Sequence, residues 1–289
     1  MYKQIDVNKR NSFLMIAVFI GLVIAVGWFF SYQYNEQWIL YLAIGIALFQ
    51  SFASYWWSDK ISLGISGAKL ANRKDYLELF RVVENLTIAS GLPQPRIYII
   101  NDLSPNAFAT GRDPKHASIA VTKGLLQKLN KRQLQGVIAH EISHIKNYDT
   151  LVMTMAVVLV SIIAILSDMY IRMQWFTGRR RSEGGGIIAI IGIIFMLLMP
   201  LTATLIKLAI SRKREFLADA DAALLTRFPQ GLAEALEKIS ADSDQLKRVS
   251  SSTAHLYISN PFKSKNMMHL FSTHPPVSER IKRLKTMIK

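Results

Sequence analysis

The chain has 289 residues, of which 51% are hydrophobic, with a formal net charge of +15 and no cysteine. Mean hydropathy is +0.21, high for a soluble protein. These figures exclude disulfides, thiolate ligands and a thiol nucleophile. No G-x-x-x-x-G-K-[ST] string is present, which excludes a P-loop ATPase site. The basic charge is spread over the flanks of apolar runs and over Arg212, Lys213 and Arg214, without a nucleic-acid-binding motif. Attraction to anionic lipid headgroups accounts for it more simply, so the expected partner is a bilayer and not a nucleic acid.

In chain order, residues 13–30 and 38–57 form two uncharged apolar runs. Each is long enough to cross roughly 30 Å of hydrocarbon as a helix. Trp28, Trp38, Trp56 and Trp57 stand near the run ends, where an aromatic belt belongs. No small-residue cleavage site follows the first run, so it reads as an uncleaved span. Lys3, Lys9 and Arg10 precede this hairpin, and Lys60, Lys69, Arg73 and Lys74 follow it, whereas 31–37 has neither Lys nor Arg. The positive-inside rule places the N-terminus and the region that follows residue 60 on the cytoplasmic side.

The next part, 61–149, reads as the first half of a mixed α and β domain. A helix is expected over 75–90, ended by Gly91. Strands are expected over 95–100 and 117–121, with Thr122 capping a following helix. A helix over 131–147 starts at Asn130, and Gln133 completes a capping box. Two further apolar runs, 150–167 and 187–206, are joined by a basic loop carrying Arg172, Arg179, Arg180 and Arg181. They are read as two spans or a membrane-embedded hairpin. Pro200 would kink the second, and Gly184, Gly185 and Gly186 loosen the loop. The segment 207–289 completes the domain. It holds helices near 229–240 and 276–288, with Pro276 at the first position of the last one. The stretch 241–265 is loop-rich. The expected fold class is mainly α with a small β-sheet, in an integral membrane protein.

The chemistry concentrates in His140-Glu141-Ile142-Ser143-His144, an H-E-x-x-H string on the expected 131–147 helix. Residues four apart share a helical face, so both imidazoles can take one tetrahedral zinc ion, with Glu141 beside it as general base. A catalytic zinc site needs a third ligand and an open position. Asn147 and Thr150 stand where a metzincin has glycine and histidine, which excludes that class. Glu215 and Asp219 are four apart on a later helix; one would bind zinc and the other would hold a ligand imidazole. His144 to Thr150 and Lys207 to Glu215 are short connections, so the metal should lie within roughly 15 Å of the cytoplasmic membrane surface.

These residues resemble the HtpX-type membrane zinc endopeptidases, gluzincins related to the CAAX-prenyl endopeptidases. The resemblance covers essentially the whole chain. It rests on the paired N-terminal apolar runs, Asn106-Ala107-Phe108-Ala109-Thr110-Gly111, the H-E-x-x-H string, the E-x-x-x-D of Glu215 and Asp219, and Thr273-His274-Pro275-Pro276 with Glu279 and Arg280. It implies a zincin-like metalloprotease domain, one Zn2+ held by His140, His144 and Glu215, and Glu141 as base. It also implies degradation of damaged membrane proteins. Asp219 then falls to the outer position. In zincin-like enzymes a segment such as Asn106, Ala107, Phe108, Ala109 and Thr110 is an edge strand to which an extended, unfolded or membrane-protein substrate adds. His274 is a candidate for stabilising the oxyanion. His116, His255 and His269 have no ligand-like spacing and read as surface or structural residues. The alternatives are a CAAX-type processing peptidase and a non-catalytic, zinc-stabilised membrane scaffold.

Overall fold

The computed structural model describes residues 2–161, 211–244, 246, 253–259 and 275–287. The fourth apolar run, its basic loop and His274 lie outside the described residues. Two long helices open the chain, α1 (Tyr2–Tyr34) and α2 (Trp38–Ile65). Both are long and apolar enough to cross a membrane, and only 17% and 22% of their most apolar windows are buried. Phe13, Trp28, Trp38, Tyr41 and Phe49 are exposed along them. A buried core pair would hide those side chains, so the pair presents a lipid-facing surface. Helix α1 runs well ahead of its apolar run, and in that extension Asn8 is fully buried.

A small sheet follows. Its strands are β1 (Lys69–Leu70), β2 (Arg96–Ile100), β3 (Ala107–Gly111) and β4 (Ala117–Thr122), in the order β1-β2-β4-β3. The β2–β4 pair is parallel and the two outer pairs are antiparallel. Side chains alternate between faces along each strand. Ile97, Ile99, Ala107, Ala109, Ile119 and Val121 join the main core, while Ile100, Phe108 and Ala120 face a second cluster with Met153 and Tyr257. Both faces are covered, which is why the strands read as apolar runs and not as an apolar–polar alternation.

Helix α3 (Leu77–Ser90) and the short α4 (Lys123–Lys128) flank the sheet. Gly91 ends α3 in a left-handed conformation (φ 69°) and donates its N–H to the last carbonyls, as the sequence predicts. Thr122 caps α4 by accepting from Leu125 N–H at 3.2 Å. Helix α5 (Lys131–Lys146) carries the H-E-x-x-H string. Asn130 and Gln133 form the expected reciprocal capping box at 3.0 and 3.1 Å. Leu134, Val137, Ile138, Ile142 and Ile145 are buried around it, and so are His140, Glu141 and His144.

After a turn at Asn147 and Tyr148 the chain enters α6 (Asp149–Ser161). This is the start of the third apolar run, and its side chains from 151 to 160 are buried. Helices α7 (Arg212–Thr226), α8 (Pro229–Ala241) and α9 (Val277–Thr286) close the domain. Pro276 is the N-cap of α9 rather than its first helical residue. Its ring still sets the entry, because a helix start tolerates a residue without an N–H. Of the loop-rich stretch, the described part contains a single 3-10 turn, Ala254–Leu256.

Helices α5 and α8 cross at Gly136, where an added Cβ would stand 2.6 Å from Leu232 N and 2.8 Å from its Cα. The obstruction is backbone, which cannot swing aside. Gly136→Ala should therefore destabilise the protein by about 1–3 kcal/mol through overpacking, read as a lowered thermal unfolding midpoint in detergent.

Candidate metal centre

The two histidines of α5 face one another across the helix surface, with their Nε2 atoms 3.1 Å apart. Glu215 reaches in from the first turn of α7, placing Oε1 3.5 Å from His144 Nε2 and Oε2 3.7 Å from His140 Nε2. In a tetrahedral zinc site with bonds of about 2.05 Å, adjacent ligand atoms are about 3.4 Å apart. The two imidazoles approach different Glu215 oxygens at distances near that value, and one donor atom from each of the three residues lies within 4.8 Å of the others. Two imidazole nitrogens and one carboxylate oxygen are a donor set that zinc accepts, with a fourth position left to water or substrate.

Why the Nε2 atoms converge is settled by what holds the other ring nitrogens. His140 Nδ1 donates to Asp219 Oδ1 at 3.0 Å, and His144 Nδ1 donates to Asp149 Oδ2 at 2.9 Å. Each imidazole is thus locked in the tautomer that turns a lone pair toward the metal position. Asp219, expected from its spacing to hold one imidazole, holds His140. Asp149 does the same for His144 and was not legible as a site residue. It begins α6, immediately after Tyr148, whose φ of 59° swings the chain out of α5.

Arg280 is the second residue that the sequence reading left without a role. It is fully buried and binds Asp219 in a fork, Nε to Oδ2 at 2.9 Å and Nη2 to Oδ1 at 2.7 Å. Its Nη1 lies 3.4 Å from Glu215 Oε2 and donates to Ile258 O at 3.2 Å. A signal existed: Arg280 interrupts the apolar face that Val277, Ile281 and Leu284 give α9. Arg214, read from sequence as part of a lipid-attracting basic run, is also buried. It donates to Asn8 Oδ1 at 3.1 Å and lies 3.6 Å from Asp149. Its inward turn follows from Asp149, a buried carboxylate that needs a counter-charge.

Burial and these neighbours move the titrations. Burial, aided by the Arg280 charge, lowers His140 to about 4 despite Asp219. Burial opposes the charged form of His144 as well, but Asp149, Glu215 and Glu141 outweigh it and push this imidazole up to about 9. Burial and the nearby Glu215 carboxylate raise Glu141 to about 7, against the pull of His144, the Ala109 N–H and Arg280. Burial would raise Asp219, yet Arg280 and His140 hold it down at about 2. A carboxyl poised near neutrality beside a metal position is suited to take and return a proton.

The segment expected to bind substrate forms strand β3 and the residue before it. Strand β3 is at the sheet edge and passes over α5. Thr122 N–H bonds Asn106 O, so the main-chain groups of 106, 108 and 110 face β4 and those of 107, 109 and 111 face outward. These outward groups have partners. Ala107 O accepts from Ile258 N–H at 3.0 Å, the Ala109 N–H faces Glu141 and favours its charged form, and Gly111 N–H points at Thr154 Oγ1 at 3.5 Å. The Asn106 amide holds Ser259 O at 3.0 Å. Of the other histidines, His255 is buried against Met153 O at 2.9 Å and His116 is exposed against Asp113, both structural roles. His269 and His274 lie outside the described residues.

Residues 73–288 match the sequence profile described as Peptidase family M48. The chain belongs to peptidase family M48. This M48 chain is 46% identical over 287 residues to a protein named Protease HtpX homolog from Dictyoglomus turgidum, covering 99% of this chain and 94% of that one. It is 46% identical over 297 residues to the like-named protein of Thermoanaerobacter pseudethanolicus, covering 99% and 98%. Its fold is similar to a crystal structure of S. mikatae Ste24p at a TM-score of 0.51 and 19% identity, over 98% of this chain and 67% of that one. The M48 chain is a membrane metalloendopeptidase, mostly helical with a small mixed sheet, and the His140, His144 and Glu215 cluster is its candidate metal site.

Two outcomes follow from this geometry. A cation must displace the proton that His144 holds below about pH 9, so metal affinity should rise with pH between 6 and 8 and about one proton should be released per ion. Calorimetry in buffers of different ionisation heat measures that release. Arg280→Leu leaves Asp219 and Glu215 without their buried cation, and should cost about 3–5 kcal/mol of stability. Thermal unfolding compared with exposed Arg283→Leu checks it.

Proposed function

We propose that this chain is a zinc-dependent endopeptidase that hydrolyses damaged or misfolded membrane proteins at the cytoplasmic face of a bacterial inner membrane. The observation that carries it is the convergence of two anchored imidazoles and one carboxylate, with the raised carboxyl of Glu141 next to them. The relatives named Protease HtpX homolog favour this reading over a CAAX-type processing role. The intact Glu141 argues against a scaffold, because a purely structural zinc site has no use for that carboxylate.

Zinc, when bound by His140, His144 and Glu215, supplies Lewis-acid polarisation of the scissile carbonyl and acidifies water. The protein does the rest. Glu141 takes the proton from the attacking water and returns it to the leaving amine. Its carboxylate is aimed by the Ala109 N–H, which belongs to the same strand that would align the substrate. An extended substrate adding along β3 takes the place of Ile258 at Ala107 O, a main-chain exchange that is indifferent to sequence and suits unfolded polypeptides. His274, which precedes α9, is assigned to the oxyanion. Proximity to the membrane has support in the position of Asn8. It lies against Asp149 at 2.6 Å and only five residues before the apolar run, about 8 Å along the helix.

The test is zinc content and proteolysis of an unfolded protein in detergent, side by side for three proteins. Glu141→Gln should keep zinc and lose turnover by at least about 10²-fold, whereas His140→Ala should lose both. Cleavage by Glu141→Gln at the wild-type rate removes Glu141 as base, and cleavage confined to lipidated C-terminal peptides moves the chain to the CAAX class.

A further inference from the structure

The N-terminal helix reaches the metal centre through the side chain of Asn8. Asn8 stands on α1, five residues ahead of the apolar run, and is fully buried. Its Nδ2 donates to Asp149 Oδ1 at 2.6 Å and to Asn147 O at 2.8 Å. Its Oδ1 accepts from Arg214 Nη1 at 3.1 Å. Asp149 in turn holds His144 Nδ1 through its other oxygen at 2.9 Å. One asparagine therefore touches the carboxylate that orients a ligand, the turn that presents this carboxylate, and the residue next to Glu215.

The turn needs such a clasp. Tyr148 adopts φ 59°, a conformation that side-chain-bearing residues rarely take and that costs on the order of a fewfold to a hundredfold in population. Asn147 Nδ2 fastens one side of it to Asp221 at 3.0 Å, and Asn8 fastens the carbonyl of the same residue. Lys9, next along α1, lies over the Tyr148 ring at 4.7 Å. An anchor helix whose only task was to hold the domain at the bilayer would have no need to bury an amide at this depth.

We propose that Asn8 is a positioning residue, which holds Asp149 and through it the His144 imidazole, so that the N-terminal membrane helix is a working part of the metal centre. The proposal rests on the metallopeptidase reading above. It predicts that the seating of α1 against the turn sets how well the site holds its metal.

The experiment uses the full-length protein in detergent. Zinc affinity is measured by competition with a chromophoric chelator, and the cobalt-substituted protein supplies a visible ligand-field spectrum. Asn8→Ala should weaken zinc binding by about tenfold or more, the range seen when outer partners of ligand histidines are removed, and should lower kcat with little change in KM. Asp149→Asn should do the same. The double variant should be no worse than Asp149→Asn alone, because the two residues act in series. Asn8→Asp keeps the size of the side chain but sets a second carboxyl against Asp149, which draws Asp149 away from His144. It should lose zinc affinity and shift the cobalt spectrum. Phe13→Leu, on the exposed face of the same helix, should leave both unchanged.

Wild-type zinc affinity and spectrum in Asn8→Ala and Asn8→Asp overturn the proposal, and so do losses that multiply in the double variant. If Asn8→Ala does not fold, the Asn8→Asp spectrum decides in the same way. A wild-type chain that binds no zinc removes the metallopeptidase reading and this proposal together, whereas unaltered zinc binding in the Asn8 variants removes only the latter.

Discussion

An imidazole inside a protein points wherever its second nitrogen is held, and here both are held by carboxylates. Asp219 and Asp149 take the Nδ1 protons of His140 and His144, and the Nε2 atoms are left facing one another. Each carboxylate is buried, so it needs charge nearby in its turn. Arg280 answers Asp219 from α9, and Arg214 with Asn8 answers Asp149 from α7 and α1. The consequence is a metal centre built by five helices drawn from both ends of the chain, each contributing because a charge on another would otherwise stand alone. Helix α5 supplies both imidazoles, but it cannot aim them.

That division explains what the sequence could and could not reveal. Local interactions were legible. Asn130 and Gln133 cap α5 as expected because both ends of a capping box lie within four residues. Gly91 ends α3 for an equally local reason. His140 with His144, and Glu215 with Asp219, were legible as pairs because helical spacing of four has a chemical meaning, while the division of roles between the two carboxylates came from the resemblance. Asn8 and Asp149 were not. Their contact spans 141 residues, and a polar residue beside an apolar run reads as its flank. Arg280 lay between these cases, since an arginine among Val277, Ile281 and Leu284 marks a buried partner without naming it. The two-residue β1 carries no periodicity at all, and it exists because β2 offers Lys69 and Leu70 an edge to pair with.

The sheet adds a further dependency between geometry and chemistry. Strand β3 has one neighbour in β4, and its outward groups meet three different parts of the protein: Ile258, Glu141 and Thr154. The middle of these contacts joins the aligning strand directly to the base. A polypeptide laid along β3, as proposed, would bring its scissile bond beside the group that must handle the proton, because one strand would register both. The outer contact is different in kind. Ile258 N–H occupies Ala107 O, and the Ile258 carbonyl is held by Arg280, which also holds Asp219. The proposed exchange of this segment for a substrate strand would return one hydrogen bond for the one it breaks at Ala107, while it would take from Arg280 a carbonyl and leave it the two carboxylates. The arginine that neutralises the metal centre thus also holds the segment that occupies the end of the edge strand.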